Sequence, residues 1–240
     1  MMPTPQPDER ELAPVDMIAL DGPAASGKST VGERLAEALD YLFFDTGVMY
    51  RAITLAALEV GIPIWDEAAC THLAQETQID VQPASRRDGR PNDVLINGVD
   101  KTWEIRSPEV DAHVSQVSAF PGVRLALSAK QRQIGMRGRV IMVGRDIGTV
   151  VMPEARLKIF LDASIEERAR RRHQERLDRG EDSDYEDVLA MLRKRDKIDS
   201  NRDIAPLCAA DDAVVIDSDG KDADEVFEIV LRLAKARSLG

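Results

Sequence analysis

Gly22-Pro23-Ala24-Ala25-Ser26-Gly27-Lys28-Ser29 fits the pattern G-x-x-x-x-G-K-[ST], and the apolar run Met17-Ile18-Ala19-Leu20 stands just before it. Glycines reach backbone dihedrals that other residues resist. Successive N–H groups can therefore turn inward and cradle a polyphosphate at the head of the following helix. In that arrangement Lys28 reaches the β- and γ-phosphates, and the Ser29 hydroxyl ligands Mg²⁺. A plain glycine-containing strand-to-helix turn is the competing reading. It is disfavoured because a strand-like run precedes the loop and an amphipathic stretch, Ser29–Leu39, follows it. The stretch predicts a nucleoside triphosphate site made by residues Gly22 to Ser29 with Thr30 beside them.

Outward from this loop, short apolar strands at Asp16–Leu20, Tyr41–Phe44, Arg139–Val143, Leu157–Leu161 and Ala213–Ile216 alternate with stretches whose apolar residues recur every three or four positions. Strand alternating with helix predicts an α/β fold on a parallel sheet. Ligands of such sheets bind beyond the carboxyl ends of the strands, which here carry Gly22, Asp45, Gly144 and Asp162. From about Gln78 to Asp111 the rhythm breaks into the pieces Ile79–Val81, Val94–Ile96 and Gly98–Lys101. Asn97-Gly98 suits a hairpin turn, so residues 78–111 are expected to form a small inserted antiparallel subdomain rather than a long surface loop. Met1 to about Pro14 reads as a disordered tail, because Pro and charged residues dominate it.

The 240 residues carry a formal charge of −11 with 43% hydrophobic residues. That is enough for one substantial core. The charge disfavours a broad surface for nucleic acid or anionic membrane, so phosphate chemistry must sit in a local basic pocket. No apolar stretch approaches the roughly 20 residues that span a bilayer, and the first residues lack a signal peptide's basic and apolar regions. A cytoplasmic location is expected. Cys70 and Cys208 stand far apart without ligand partners and read as ordinary buried residues. His72, His113 and His173 show no metal spacing and read as surface or packing residues.

Three further stretches point to the second substrate. Asp45-Thr46-Gly47-Val48-Met49-Tyr50-Arg51 opens a helix after the second strand, with Thr46 expected at its N-cap and Arg51 facing back toward the phosphate pocket. Gly144-Arg145-Asp146-Ile147-Gly148 puts a fork-shaped cation and an acceptor-only carboxylate at the binding edge, suited to a phosphate and to an amino group respectively. In Arg195–Arg202 two helical turns would put both arginines on one face with Asp199 between them. The segment Ala163–Arg172 starts with a cap-like Ser164 and becomes strongly basic, as a mobile lid over phosphates would. A solvated helix with pairs such as Glu167–Arg171 is the plainer alternative.

Taken with Ser115-Gln116-Val117-Ser118-Ala119-Phe120-Pro121 and Phe160-Leu161-Asp162-Ala163-Ser164, these motifs resemble, in order over about Asp16 to Leu233, the bacterial cytidylate kinases. The resemblance implies a P-loop three-layer sandwich with a central parallel five-stranded sheet. It also implies that residues 78–111 bind the nucleoside monophosphate and that about 163–180 form a helical lid. The implied reaction moves the γ-phosphoryl group of ATP, with Mg²⁺, to CMP or dCMP. Thr46, Ser115, Arg124 and Asp146 would surround the cytosine, Arg195 and Asp199 would lie near the sugar, and Arg51, Arg145 and Arg202 would hold the acceptor phosphate. Arg171, flanked by Arg168 and Arg172, would close over the phosphates, with Lys28, Arg145 and Arg171 as the catalytic groups. A monomer that engages neither nucleic acid nor membrane is implied as well. The chain departs from the family at Val143, where an acid is common, and at Gly122, which is basic in some relatives. A kinase for another small acceptor and a nucleotide-dependent switch are the rival readings; the guanine-reading Asn-Lys-x-Asp is absent from the sequence.

Overall fold

The strand β1 (Val15–Asp21) lies at the centre of five parallel strands in the order β2 (Leu42–Asp45), β6 (Val140–Gly144), β1, β7 (Ala155–Asp162), β8 (Val214–Asp217). The computed structural model describes residues 15–202 and 204–238, and the expected Met1–Pro14 tail lies outside them. Alternate residues of β1 leave the sheet on opposite faces, and both faces are buried, which is why Met17 to Leu20 is a continuous apolar run. Met17 and Ala19 enter one core with Phe44, Met142, Ile53 and Leu127. Ile18 and Leu20 enter the other with Val31, Leu35, Ile141, Ile159 and Val230.

Helices cover both faces, completing three layers. The first core is roofed by α2 (Gly47–Glu59), α3 (Glu67–Glu76) and α5 (Pro121–Gly135), and the second by α1 (Lys28–Leu39) and α8 (Ala223–Ser238). The inserted region folds as expected into an antiparallel sheet, β3 (Ile79–Pro83), β4 (Asn92–Ile96) and β5 (Val99–Asp100). Asn97 and Gly98 both have positive φ, 49° and 80°, as the tight turn between β4 and β5 demands. The guanidinium of Arg90, 2% exposed, pins this small sheet by pairing with Asp88, Asp93 and Asp100 at 2.8–2.9 Å.

The sheet insert leads into α4 (Pro108–Val117), and α6 (Ile165–Asp178) and α7 (Tyr185–Ser200) pack together beside the β1 loop. Ala24 of that loop shares a small core with Ala169, Val188, Leu189 and Leu192 of those two helices. Two expectations need correction. Cys70 is buried, but Cys208 is exposed, because it lies in the irregular segment between α7 and β8 and packs on neither face of the sheet. And α7 ends at Ser200, so Arg202 lies beyond the helix rather than on its face. Among the described residues no helix is long and apolar enough to cross a membrane.

Candidate active site

The loop after β1 has the backbone its glycines promise. Gly22 takes φ +146°, and a Cβ there would run into the carbonyl oxygen of Leu161, so the loop lies flat on the end of β7. Gly27, at φ 95°, is the N-cap of α1. Lys28 is 5% exposed and folds back on its own loop, its Nζ donating to Ser26 Oγ at 3.2 Å and to the Pro23 carbonyl. Burial holds the Lys28 ammonium well below its ordinary value and Arg145 adds to the effect, while Asp45 and Asp21 oppose it. Ser29 and Thr30 are exposed on the first turn of α1, and Ser29 Oγ donates to Asp45 Oδ2 at 3.1 Å.

Asp45 ends β2, two strands away from β1, and its Oδ1 accepts the Gly47 N–H at 2.9 Å. Thr46 does hold the N-cap position of α2, but its hydroxyl caps nothing; it donates to the Val143 carbonyl at 2.9 Å and so fastens the start of α2 to the end of β6. The two charges after β6 do not pair with each other. Asp146, 5% exposed, meets Arg124 Nη2 at 2.7 Å, and Arg145 Nε meets Asp199 at 3.1 Å. Burial works against the Asp199 charge, yet Arg145, Arg202 and Arg195 together hold its carboxyl below the ordinary range. Arg202 reaches the same carboxylate from outside α7, and Arg195 stands 3.9 Å away.

Arg145, Arg195 and Arg202 thus share the Asp199 carboxylate, Arg124 and Asp146 form a second pair, and the charges of that pair are felt at Arg202. Arg51 has its direct partners outside that cluster, although its charge is felt at Arg195. It donates to the Ile105 carbonyl at 3.2 Å and pairs with Asp111 at 2.6 Å, so the insert and α4 hold it. Ser115 is exposed on α4, and its carbonyl accepts from Ser118 Oγ at 3.1 Å.

Ser164 caps α6 by accepting the Glu167 N–H. Arg168 is buried, donating to the Ala24 carbonyl at 3.2 Å and pairing with Asp196 at 2.6 Å. Arg171 pairs with Glu167 at 2.7 Å as the plainer reading expected, but also spans the loop after β8, donating to Ser218 Oγ at 3.0 Å and the Ser218 carbonyl at 2.7 Å. Arg172 pairs outward with Glu175 at 2.9 Å.

Half of the buried side-chain polar atoms without a partner among the described residues are Arg124 Nε, Arg202 Nε and Arg202 Nη1. Unpaired buried donors cost about 1–3 kcal/mol each, so their natural complement is a ligand rich in acceptors. No group of three or more His, Cys, Asp or Glu among the described residues could hold a metal ion by itself. A divalent cation here must share its ligands with nucleotide phosphates and water, which is the habit of Mg²⁺, and the hard hydroxyl of Ser29 fits that donor set.

Sequence reasoning missed Asp21. It is 5% exposed, and its two oxygens accept the backbone amides of Ile147 and Gly148 at 2.9 and 2.8 Å, locking the loop after β6 onto the start of the loop after β1. The only signal in the sequence was a charge directly after the apolar run Met17–Leu20. The structure also accounts for Gly122: a Cβ at that position would collide with Thr71 of α3.

The cytidylate kinase family model matches residues 18–236. A cytidylate kinase of Herpetosiphon aurantiacus is 50% identical over 216 residues, covering 90% of this chain and 93% of its own. That of Chloroflexus aggregans is 52% identical over 214 residues, covering 89% and 91%. Among solved structures, a shikimate kinase of Acinetobacter baumannii in complex with shikimate superposes with TM-score 0.43 at 18% identity, covering 96% of this chain and 97% of its own. A sheet with the phosphate loop at its centre, arginines gathered around Asp146 and Asp199, and a match along nearly the whole fold lead to one conclusion: the chain belongs to the cytidylate kinase family.

Proposed function

We propose that this protein transfers the γ-phosphoryl group of ATP to CMP or dCMP, giving ADP and CDP or dCDP. The observation that carries the reading is the trio of unpartnered buried donors on Arg124 and Arg202, which stand among carboxylates that are already paired. An acceptor nucleotide supplies what they lack: oxygens on its phosphate for Arg202, Arg145 and Arg51, and ring acceptors for Arg124. Asp146 can accept a hydrogen bond but, ionised, cannot donate one, so it suits the 4-amino group of cytosine and meets the corresponding uracil carbonyl as a second acceptor. Thr46 and Ser115 would flank that base. Arg195 and Asp199 would face the sugar.

The residues of the loop after β1, Gly22 to Thr30, would hold the ATP phosphates, with Ser29 as a ligand of Mg²⁺. When bound, that ion would neutralise charge on the nucleotide phosphates. Lys28 would leave Pro23 and Ser26 for the phosphate oxygens, Arg145 would bridge donor and acceptor phosphates, and Arg171 would close from α6 to exclude water. Phosphoryl transfer needs positioning and charge neutralisation more than covalent help, and no base stronger than the acceptor phosphate itself is required. The insert at 78–111 would carry the acceptor side and 163–180 the lid. We assign the enzyme to pyrimidine nucleotide metabolism in the cytoplasm, acting as a monomer on small nucleotides alone.

The test is ADP release by the purified chain with Mg·ATP and CMP, dCMP, UMP, AMP or no acceptor. Turnover is expected with CMP and dCMP and to vanish in Lys28→Ala. Preference for another acceptor would overturn the Asp146 assignment, and nucleotide binding without turnover would favour a switch.

A further inference from the structure

A nucleotide-bound Mg²⁺ in a phosphate-loop enzyme draws on the loop hydroxyl and on a carboxylate at a strand end nearby. Of the strands flanking β1, β7 ends in Asp162, whose Oδ1 accepts the Ala163 N–H at 2.9 Å and which, among the described residues, makes no hydrogen bond to Ser29. The last side chain of β6 is that of Val143, apolar and 2% exposed, followed by Gly144, so this strand end gives no side-chain ligand. Asp21 spends both oxygens on the amides of Ile147 and Gly148. Asp146 is closed by Arg124, Asp196 by Arg168, and Asp199 by Arg145 and Arg202.

One carboxylate remains at the hydroxyl. Asp45 on β2 is the register partner of Val143 on β6, one strand further from β1. The Gly47 amide fixes its Oδ1, which aims Oδ2 at Ser29 Oγ, 3.1 Å away. Among the described residues no ion pair closes on it. Its charge is nevertheless felt at Lys28, so it lies within the field of the phosphate site.

We propose that Asp45 supplies the carboxylate side of the Mg²⁺ site whose hydroxyl side is Ser29, the neighbouring strand providing what the apolar end of β6 cannot. The inference rests on the kinase reading for the ion's presence, but not on which acceptor is used. In this arrangement Ser29 gives up its hydrogen bond to Asp45 when the ion arrives, and both oxygens turn to the metal and its water shell. A purely structural Asp45, holding Ser29 and capping Gly47, is the competing role, and Asp45→Asn separates the two: the amide oxygen can still accept from Gly47 or Ser29, but the negative charge is gone.

The experiment uses Mn²⁺ as the probe, titrated by electron paramagnetic resonance into the full chain saturated with ADP. Asp45→Asn is expected to weaken Mn²⁺ binding to the protein–ADP complex by roughly 10- to 100-fold, while metal-free ADP affinity and the thermal midpoint stay at the wild-type values. Unchanged Mn²⁺ affinity would overturn the proposal. So would an equal loss of ADP affinity measured in EDTA, which marks a structural role. Because no acceptor is present, failure of wild type to phosphorylate CMP would defeat the functional reading without touching this result.

Discussion

Asp21 Oδ2 accepts the backbone N–H of Gly148 at 2.8 Å across 127 residues of chain, and its other oxygen holds the amide of Ile147. One side chain thereby sets the spacing between the phosphate loop and the loop that carries Arg145 and Asp146. In Asp21→Asn one amide would face an NH₂ instead of an oxygen. An unsatisfied buried amide costs about 1–3 kcal/mol, so kcat/KM for CMP should fall by roughly 5- to 150-fold with KM for ATP less affected. Steady-state kinetics with each substrate varied check this; equal losses on both would show the loop junction to be mere scaffolding.

The same residue predicts a pH effect on stability. Burial pushes the Asp21 carboxyl up to about 6, Asp146 adds to the push, and the two amides and Lys28 oppose it. An acid raised on folding stabilises fully below its unfolded value, and that contribution is lost as pH rises through the folded value. Wild type should therefore lose stability relative to Asp21→Asn as pH rises from about 4 to about 7. Thermal melts of both proteins across that range read the difference, and a constant gap would show that Asp21 does not titrate there.

Asp146→Asn replaces an acceptor by a group that can also donate, which suits uracil as well as cytosine. The ratio of kcat/KM for CMP over UMP is expected to drop by roughly 5- to 150-fold, the worth of one buried polar mismatch. Arg124, 4% exposed, keeps a neutral oxygen as partner, so folding survives better than in Asp146→Ala, where the stranded guanidinium would cost about 3–5 kcal/mol. Equal losses for the two nucleotides would remove Asp146 from base selection.

Arg171→Ala tests the lid. Charge stabilisation by a single well-placed donor is typically worth 10²- to 10³-fold, so kcat should fall by about that factor with little change in KM for CMP. Glu167 and Ser218 hold Arg171 against the loop after β8, so a purely structural role would instead show as a lowered thermal midpoint with kcat intact.

Gly22→Ala should fail more completely. A side chain there meets the backbone of Leu161, which cannot yield without moving β7, and φ +146° is open essentially to glycine alone. Loss of ATP binding in equilibrium dialysis is expected, and retained affinity would contradict the close approach of loop and strand.

Much of this was legible in the residues because period and punctuation are local signals. The five core strands announce themselves as apolar runs, and Asn97-Gly98 announces its turn. The arginines around Asp199 were found by spacing, though the geometry differs: Arg202 leaves the helix after Ser200 and returns to Asp199 from the coil. What stayed hidden depends on long-range contact. Asp21 looks like a strand flank until β6 brings the amides beside it, and the Arg51–Asp111 pair requires α4 to fold back over α2. Thr46 takes its expected N-cap position, but nothing local in the sequence tells its hydroxyl that the end of β6 lies within reach.

The Arg90 cluster has a consequence for ionic strength. At physiological salt, charges in open solvent are screened over about 8 Å, whereas buried pairs are screened much less. Arg90 is 2% exposed among its three aspartates, so added salt should leave the small sheet intact. On α6 and just past its end, the pairs Arg170–Glu167, Arg172–Glu175 and Arg179–Glu181 have arginines 66%, 39% and 49% exposed, open to counterions. The two appendages of one enzyme thus answer to different solution conditions, and an electrolyte can loosen one while the other keeps its shape.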